Sequence, residues 1–416
     1  MIQQLESPEG KDPQEYWKLV NQLRENKQNN TYFNAENFTN FFEKLYSHSD
    51  KIDNQITESV RDILENMSNI ANEPDFQMDE LTKAISSLKI KTAGPIPVEM
   101  LKATPVNVLK VLLKIMNKIK SSYQFPDKWA AGITSLLLKD GDDEDPDNYR
   151  AITVTIALSK ILAILINERL DKWSTEKEVQ RIEQIGFTKQ CRPADHLFVL
   201  KTLVDSYNND GKKLYTCFVD FQKAFDSVWR TGLLYKLIKC GMNLEMVQVI
   251  KNMYEKTSQS LKINNELTRS FRTFRGVRQG CILSPRLFNL FINDLPEIFD
   301  CRCQPVSLGP DLQINCLLYA DDLVLLSESS AGLQACLDRL QEYTDKWDLK
   351  VNLKKTKIMI FQRGGRRIET PMYLGYQHLE HAKHYKYLGT ILTDTGSFKT
   401  NENNLKKKAF HLHQNF

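Results

Sequence analysis

The sequence predicts an α+β fold, and three observations carry that expectation. Helix and strand patterns alternate from residue 78 onward. An apolar, β-branched and aromatic run, "KLYTCFVDF" at 213–221, reads as a buried strand with an aspartate inside it. Two short apolar runs in "INCLLYADDLVLLS" (314–327) flank Ala-Asp-Asp and read as a β-hairpin with the acidic pair at or beside its turn.

Residues 1–77 are polar and rich in Asn and Glu, with helical stretches such as "YFNAENFTNFFEKLY". They read as an N-terminal helical connector. "LTKAISSLKI" (81–90) and "VLKVLLKIMNKI" (108–119) have the 3.6-residue periodicity of amphipathic helices. "AGITSLLLKD" (131–140) reads as a strand, and "GDDEDPD" (141–147) as an acidic loop broken by Gly and Pro. "AITVTIALSKILAILI" (151–166) reads as a buried helix or a strand–helix join. "LLYKLIKCG" (233–241) is a helix that Gly241 terminates. "AGLQACLDRLQEYTDKW" (331–347) is an amphipathic helix with Leu333, Cys336, Leu337 and Leu340 on one face.

With 416 residues the chain is too long for one compact core and suggests two or three packed subdomains. No apolar run reaches the ~20 residues of a membrane helix, and no secretory h-region opens the chain. The net charge of +4 says little about nucleic acid, but its distribution is uneven. Lys350, Lys354, Lys355, Lys357, Arg363, Arg366 and Arg367, and then "LKKK" at 405–408, make the C-terminal part positive. The eight cysteines read as reduced intracellular thiols, since Cys301 and Cys303 lack a second knuckle at zinc spacing. His378, His381 and His384 recur every three residues, which fits neither a helical i, i+4 pair nor one strand face, so no metal is expected there.

Aspartate in a buried strand is a poor structural choice, because an unpaired buried carboxylate costs several kcal/mol. Asp220 occupies such a place, and Asp321 and Asp322 interrupt an otherwise apolar hairpin. Adjacent carboxylates repel and are best tolerated beside a cation. Three of them on neighbouring strands make an oxygen-rich site for Mg²⁺. Two such ions ~4 Å apart suit in-line nucleotidyl transfer.

"YADDLVLLS" (319–327) resembles the Tyr-X-Asp-Asp box of reverse transcriptases, and it does not stand alone. "FVDFQKAFDSV" (218–228) resembles the family's first carboxylate motif, and "GVRQGCILSPRLFNLFINDL" (276–295) its template- and nucleotide-contacting motif. "NYRAITV" (148–154) and "QIGFTKQCRPADHLF" (184–198) are similar to fingers motifs. "WDLKVNLKKTKIMIF" (347–361) and "YKYLGTIL" (385–392) are similar to the last palm motif and the primer grip. The motifs run in the family's order across roughly residues 78–395, and their wording is nearest the non-LTR (LINE-type) retrotransposon enzymes.

The resemblance implies a right-hand polymerase: fingers and palm over 78–395, an antiparallel palm sheet packed on helices, and the truncated start of a thumb at 396–416. It implies RNA-directed DNA polymerase activity with two Mg²⁺ ions (Mn²⁺ as substitute), an RNA template, a DNA primer and dNTPs. Asp220 and Asp321 would ligate both metals, Asp322 would be a weaker ligand, and the Phe221 carbonyl would complete one shell. Phe225 would be an aromatic gate against a ribose 2′-hydroxyl. Gln279 and Gly280 would shape the nucleotide pocket, and Lys139 and Arg150 would hold the triphosphate. Lys355 would protonate the leaving pyrophosphate, with Lys354 and Lys357 as alternatives. Tyr387, Leu388 and Gly389 would support the primer, and Asp226 would cap a helix or turn rather than bind metal.

The pattern also departs from the family. "KTAGPIPVEMLK" (91–102) lacks an Asp-Gly, Ala151 stands where Pro usually follows Asn-Tyr-Arg, Thr188 replaces Arg, and Gln190 replaces a common Gly. These departures, and a chain that stops where a thumb begins with no endonuclease-like segment upstream, raise a rival reading: a truncated or domesticated remnant that binds RNA or an RNA–DNA duplex without catalysis. A two-metal nuclease would need a fourth acidic residue, and Glu328 is only a hairpin neighbour. Nuclear and cytoplasmic sites of action both remain open, as does the oligomeric state.

Overall fold

The computed structural model describes residues 34–48, 53–66, 73–89, 96–139, 141–307, 309, 312–364 and 370–397. Residues 91–95, Arg366, Arg367, the basic run at 405–408 and the expected thumb start from 398 lie outside them.

Helix α1 (Ala35–Leu45) begins where the Asn34 side chain accepts from the Asn37 amide at 3.1 Å, satisfying a donor that the first turn leaves open. Helix α2 (Asn54–Glu65) is capped likewise by Asp53. Helices α3 (Met78–Ser87) and α4 (Val106–Ser122) follow, then strands β1 (Ala131–Leu138) and β2 (Tyr149–Val154) and the long helix α5 (Ala157–Glu176). The apolar run at 151–166 is therefore a strand–helix join. Helix α6 (Pro193–Asn209) leads into β3 (Leu214–Asp220). Helices α7 (Arg230–Lys239) and α8 (Leu244–Glu255) precede β4 (Ser258–Ile263), β5 (Glu266–Leu267) and β6 (Phe271–Arg272). Gly241 ends α7 as expected: at φ +76° its amide reaches Ile238 O, and the next amide, Met242, reaches Leu237 O at 3.1 Å. Helix α9 (Ser284–Phe291), the short strands β7 (Val306–Ser307) and β8 (Gln313–Ile314), and the hairpin β9 (Cys316–Tyr319) and β10 (Asp322–Ser327) come next. Helix α10 (Ser330–Trp347) then leads to β11 (Lys357–Phe361), β12 (Met372–Leu374), β13 (Gln377–His381), β14 (His384–Tyr387) and β15 (Thr390–Thr393).

Two sheets organise these elements. The first runs β2-β1-β4-β5, with β6 also on β4. The second runs β12-β13-β11-β3-β10-β9, so β3 lies between β11 and β10, antiparallel to both. Its residues are apolar on both faces because both are covered. Cys217 and Val219 join the main core, where α10 contributes Leu333, Cys336, Leu337 and Leu340, all fully buried. Leu214 and Phe218 point the other way, into a core shared with Leu200, Leu203 and Val204 of α6 and Tyr387 and Leu392 of the β14–β15 hairpin. All eight cysteines are unpaired, and no helix among the described residues is long and apolar enough to cross a membrane.

The segment read as a connector contributes to the same cores. Phe38, Phe42 and Tyr46 share a cluster with Tyr149, Ala151, Leu261, Ile263 and Phe271 of the first sheet. Ile56, Val60 and Leu64 of α2 enter the main core. The boundary drawn at 77 thus separates no packed unit.

Candidate active site

The three carboxylates meet at one edge of the second sheet. Asp220 ends β3, and Asp322, opening β10, is its direct cross-strand partner. Tyr319 pairs with Asp322, so Ala320 and Asp321 alone form the hairpin turn. Such a short link favours positive φ, and Ala320 adopts +55°. The buried side chain of Gln184 holds it there. Its Oε1 accepts from the Ala320 amide at 2.9 Å and the Gly186 amide at 2.8 Å, while its Nε2 donates to Ala320 O at 3.2 Å. Gly186 lies so close that a Cβ would sit 2.1 Å from the Ala320 nitrogen, and Asn289 Nδ2 donates to its carbonyl at 2.6 Å. On the other strand, Asp220 O accepts from Asn352 N, and Gln222 N donates to Lys350 O, both at 2.7 Å. Among the described residues this leaves the Phe221 carbonyl between them without a donor.

Burial pushes the Asp321 carboxyl above its ordinary range. Its own backbone N–H opposes that, Asp220 adds repulsion, and Arg150 and Lys139 pull it back. Burial, then Asp321, then Asp220 push Asp322 up to about 6. Two carboxylates raised by burial and by neighbouring negative charge, with an open carbonyl beside them, suit a hard cation. Among the described residues no three His, Cys, Asp or Glu side chains close on a point as a finished coordination shell. An open acidic edge of this kind fits Mg²⁺, which keeps places for water and substrate phosphate. His381 instead has its Nε2 2.9 Å from Thr370 O, and Glu328 accepts from the Tyr207 phenol at 2.7 Å.

A cationic flank faces this edge. Lys139 has its amine pushed down by burial, then by Arg150 and Lys223, with Asp226 opposing and Lys355 adding to the repulsion. Lys139, Arg150 and Lys355 are thus gathered. Lys357 is committed to an ion pair with Glu380. Lys223, unnoticed in the sequence, pairs with Asp147 at 2.8 Å and lies over the Phe41 ring at 4.3 Å.

Within residues 138–392 the chain matches the family described as reverse transcriptase (RNA-dependent DNA polymerase). The chain belongs to the reverse transcriptase family. It is 29% identical over 371 residues to the probable RNA-directed DNA polymerase from transposon BS of Drosophila melanogaster, covering 86% of this chain and 40% of that protein. It is 30% identical over 345 residues to the RNA-directed DNA polymerase from mobile element jockey of Drosophila funebris, covering 77% and 36%. To the Pol polyprotein from the type-1 retrotransposable element R2 of Nasonia vitripennis it is 29% identical, covering 78% and 32%. These relatives show the expected kinship with non-LTR retrotransposon enzymes, and the chain spans about two fifths of the length of the first of them. The solved structure of apo telomerase from Candida Tropicalis, truncated from its C-terminal domain, superposes with a TM-score of 0.46 at 12% identity, covering 69% of this chain and 59% of that one. The family match over residues 138–392, and not that superposition, gives the fold as that of a right-hand polymerase.

Other positions of the family's motifs have protein partners of their own. Asp226 is not a cap: Lys223 opens the short helix Ala224–Ser227, and the Asp226 carboxylate turns inward. It accepts from Tyr46 OH and from Gln279 Nε2, both at 2.7 Å. The close approach that Gly280 permits is to protein: at φ +102° a Cβ would sit 2.8 Å from Thr153 O. Phe225 is stacked on Phe288 with ring centroids 4.7 Å apart. Leu388 and Gly389, both at positive φ, form a two-residue turn between β14 and β15. Tyr387 beside it is buried in the core.

The departures from the family are locally accommodated. Ala151 is a buried ladder residue opposite Leu136. Gln190 sits at φ +68°, which explains why glycine is common there. Thr188 Oγ1 accepts from Gln180 Nε2. The sequence reading missed Gln184, Gly186, Asn289 and Tyr46. The signal for the first two was a Gln-x-Gly in an irregular stretch, whose partner lies 136 residues on.

Proposed function

We propose that this chain is the polymerase core of a non-LTR RNA-directed DNA polymerase, which adds dNTPs to a primer 3′-hydroxyl on an RNA template. The first sheet is the fingers and the second the palm. The observation that carries the reading is the placement of Asp220, Asp321 and Asp322 at one sheet edge through direct β3–β10 pairing and a two-residue turn. Asp220, Asp321 and the Phe221 carbonyl would hold two Mg²⁺ ions, with Asp322 as a weaker ligand. Bound there, the ions supply Lewis-acid activation of the 3′-hydroxyl and neutralise the departing pyrophosphate.

The remaining work falls to the chain's own groups. Lys139 and Arg150 hold the triphosphate by charge-assisted hydrogen bonds. Lys355, whose field reaches Lys139, gives a proton to the leaving pyrophosphate. Phe225, fixed by its stack on Phe288, excludes a 2′-hydroxyl. Gln279 and Gly280 line the nucleotide pocket.

The test is dNTP incorporation on poly(rA)/oligo(dT) with Mg²⁺ and then Mn²⁺, beside Asp321→Asn and the Asp220→Ala/Asp321→Ala double variant. Incorporation that disappears in both variants supports the reading. Incorporation that survives Asp321→Asn refutes the metal-site assignment. A wild-type chain that binds the duplex at low salt but extends nothing is a non-catalytic nucleic-acid binder.

A further inference from the structure

We propose that Tyr46 and Asp226 are positioning residues of the nucleotide pocket, holding the Gln279 amide with its nitrogen turned inward and its oxygen free for the incoming nucleotide. This rests on the polymerase reading for what enters the pocket.

Asp226 is only 5% exposed. An ionised carboxylate accepts hydrogen bonds and donates none, so both of its neighbours must donate. Tyr46 OH supplies one hydrogen bond to Oδ1 and Gln279 Nε2 another to Oδ2, each 2.7 Å long. An amide facing an uncharged partner could reverse, whereas one facing a carboxylate has a single favourable orientation. Gln279 Oε1 is therefore directed away from Asp226, and among the described residues nothing donates to it.

Further polar side chains lie behind Tyr46. Thr134 Oγ1 donates to Gln259 Oε1 at 3.1 Å. Burial, then Asp226, push the Tyr46 phenol up, with Arg230 and Gln259 opposing, and that phenol donates to Asp226. The backbone is fixed as well. Val277 N reaches Phe225 O, Gly276 N reaches Val228 O and Phe274 N reaches Tyr46 O, each at 2.8 Å. A Cβ on Gly276 would meet Asp226 O at 2.6 Å. The stretch leading to Gln279 is thus fastened alongside both Phe225 and the end of α1.

A buried carboxylate is an expensive way to fill a core, since apolar residues of similar size are often at least as stable. Burial pushes Asp226 up to about 6, with Tyr46, Lys223, Lys139 and Arg150 opposing. A fixed acceptor between the aromatic gate and the pocket glutamine gives that cost a purpose.

The test is a double-mutant cycle with dTTP on poly(rA)/oligo(dT), comparing wild type, Asp226→Asn, Gln279→Ala and the double variant. An Asn at 226 offers a donor where Gln279 needs an acceptor, so Asp226→Asn raises the KM for dTTP by about tenfold, within the range of couplings between touching side chains. The rise falls on KM rather than kcat, and the double variant is no worse than Gln279→Ala alone. Tyr46→Phe, which keeps the ring and its packing, raises KM by about threefold, in line with the loss of one hydrogen bond. Additive losses in the double variant, or losses confined to kcat at unchanged KM, overturn this proposal and leave the polymerase reading standing. A wild-type chain that incorporates nothing overturns both.

Discussion

Gln184→Leu tests how the acidic β9–β10 turn is held. Leucine is close to glutamine in size, so the substitution leaves little cavity and isolates the loss of the amide. The main-chain strap survives: Ile185 N still reaches Leu318 O and Leu318 N still reaches Glu183 O. What goes is the acceptor for the amides of Ala320 and Gly186. Each buried donor left unmet costs about 1–3 kcal/mol, so the pair amounts to roughly 2–6 kcal/mol. Against a typical stability of about 5–15 kcal/mol, the chain stays folded while the turn loosens. Even 2 kcal/mol corresponds to roughly 30-fold in an equilibrium. Hydrogen exchange of peptides spanning 316–327 is therefore expected to quicken at Ala320 by at least about 30-fold. Primer extension falls steeply too, since a displacement of about 1 Å at a reacting centre costs about 100-fold. Unchanged protection together with unchanged extension would show that the Gln184 amide does not hold Asp321 in place.

Two further perturbations probe the same neighbourhood. Gly186→Ala puts a methyl 2.1 Å from the Ala320 nitrogen, where backbone must give way. The expected outcome is a lower unfolding temperature and loss of extension; wild-type behaviour in both would refute the packing described. Asp226, pushed up to about 6 from 3.8, holds its proton more tightly folded than unfolded. That stabilisation is complete below pH 3.8 and is lost as pH rises through about 6. Asp226→Asn should therefore flatten the stability–pH curve across that interval by roughly 3 kcal/mol. Thermal unfolding from pH 4 to 7 checks this, and parallel curves for the two proteins would contradict it.

Much of the site was legible because its signals are local. A carboxylate in an apolar strand and an acidic pair in a hairpin each violate a packing rule within ten residues. The structure brings the two violations side by side, since Asp220 and Asp322 are cross-strand partners. Leu333, Cys336, Leu337 and Leu340 were equally readable, because helical periodicity alone decides which face is buried. What was illegible depends on distant partners. Nothing near Asp226 announces that a phenol 180 residues earlier donates to it, so it read as a cap. Gly280 was read as shaping the nucleotide pocket, and nothing near it in the sequence announces Thr153 O as its neighbour, which only β2 can bring there. The N-terminal segment misled through its polar composition. Its Phe38, Phe42 and Tyr46 recur every four residues, the spacing of a helix face that buries itself.

The way α1 and β1 are packed bears on where this protein can be divided. The family pattern begins at residue 138, the last residue of β1. A fragment cut there would keep every carboxylate and lose the strand joining β2 to β4. Two raw sheet edges would be open to other chains. Leu261, Ile263 and Phe271 would lose the helix that shields them, and Asp226 would lose its phenol. The stretch that the family pattern covers is thus shorter than the stretch that packs as a unit around the carboxylates. Recombination that shuffled the part matched by the family pattern alone would deliver the three carboxylates without the scaffold that aims them.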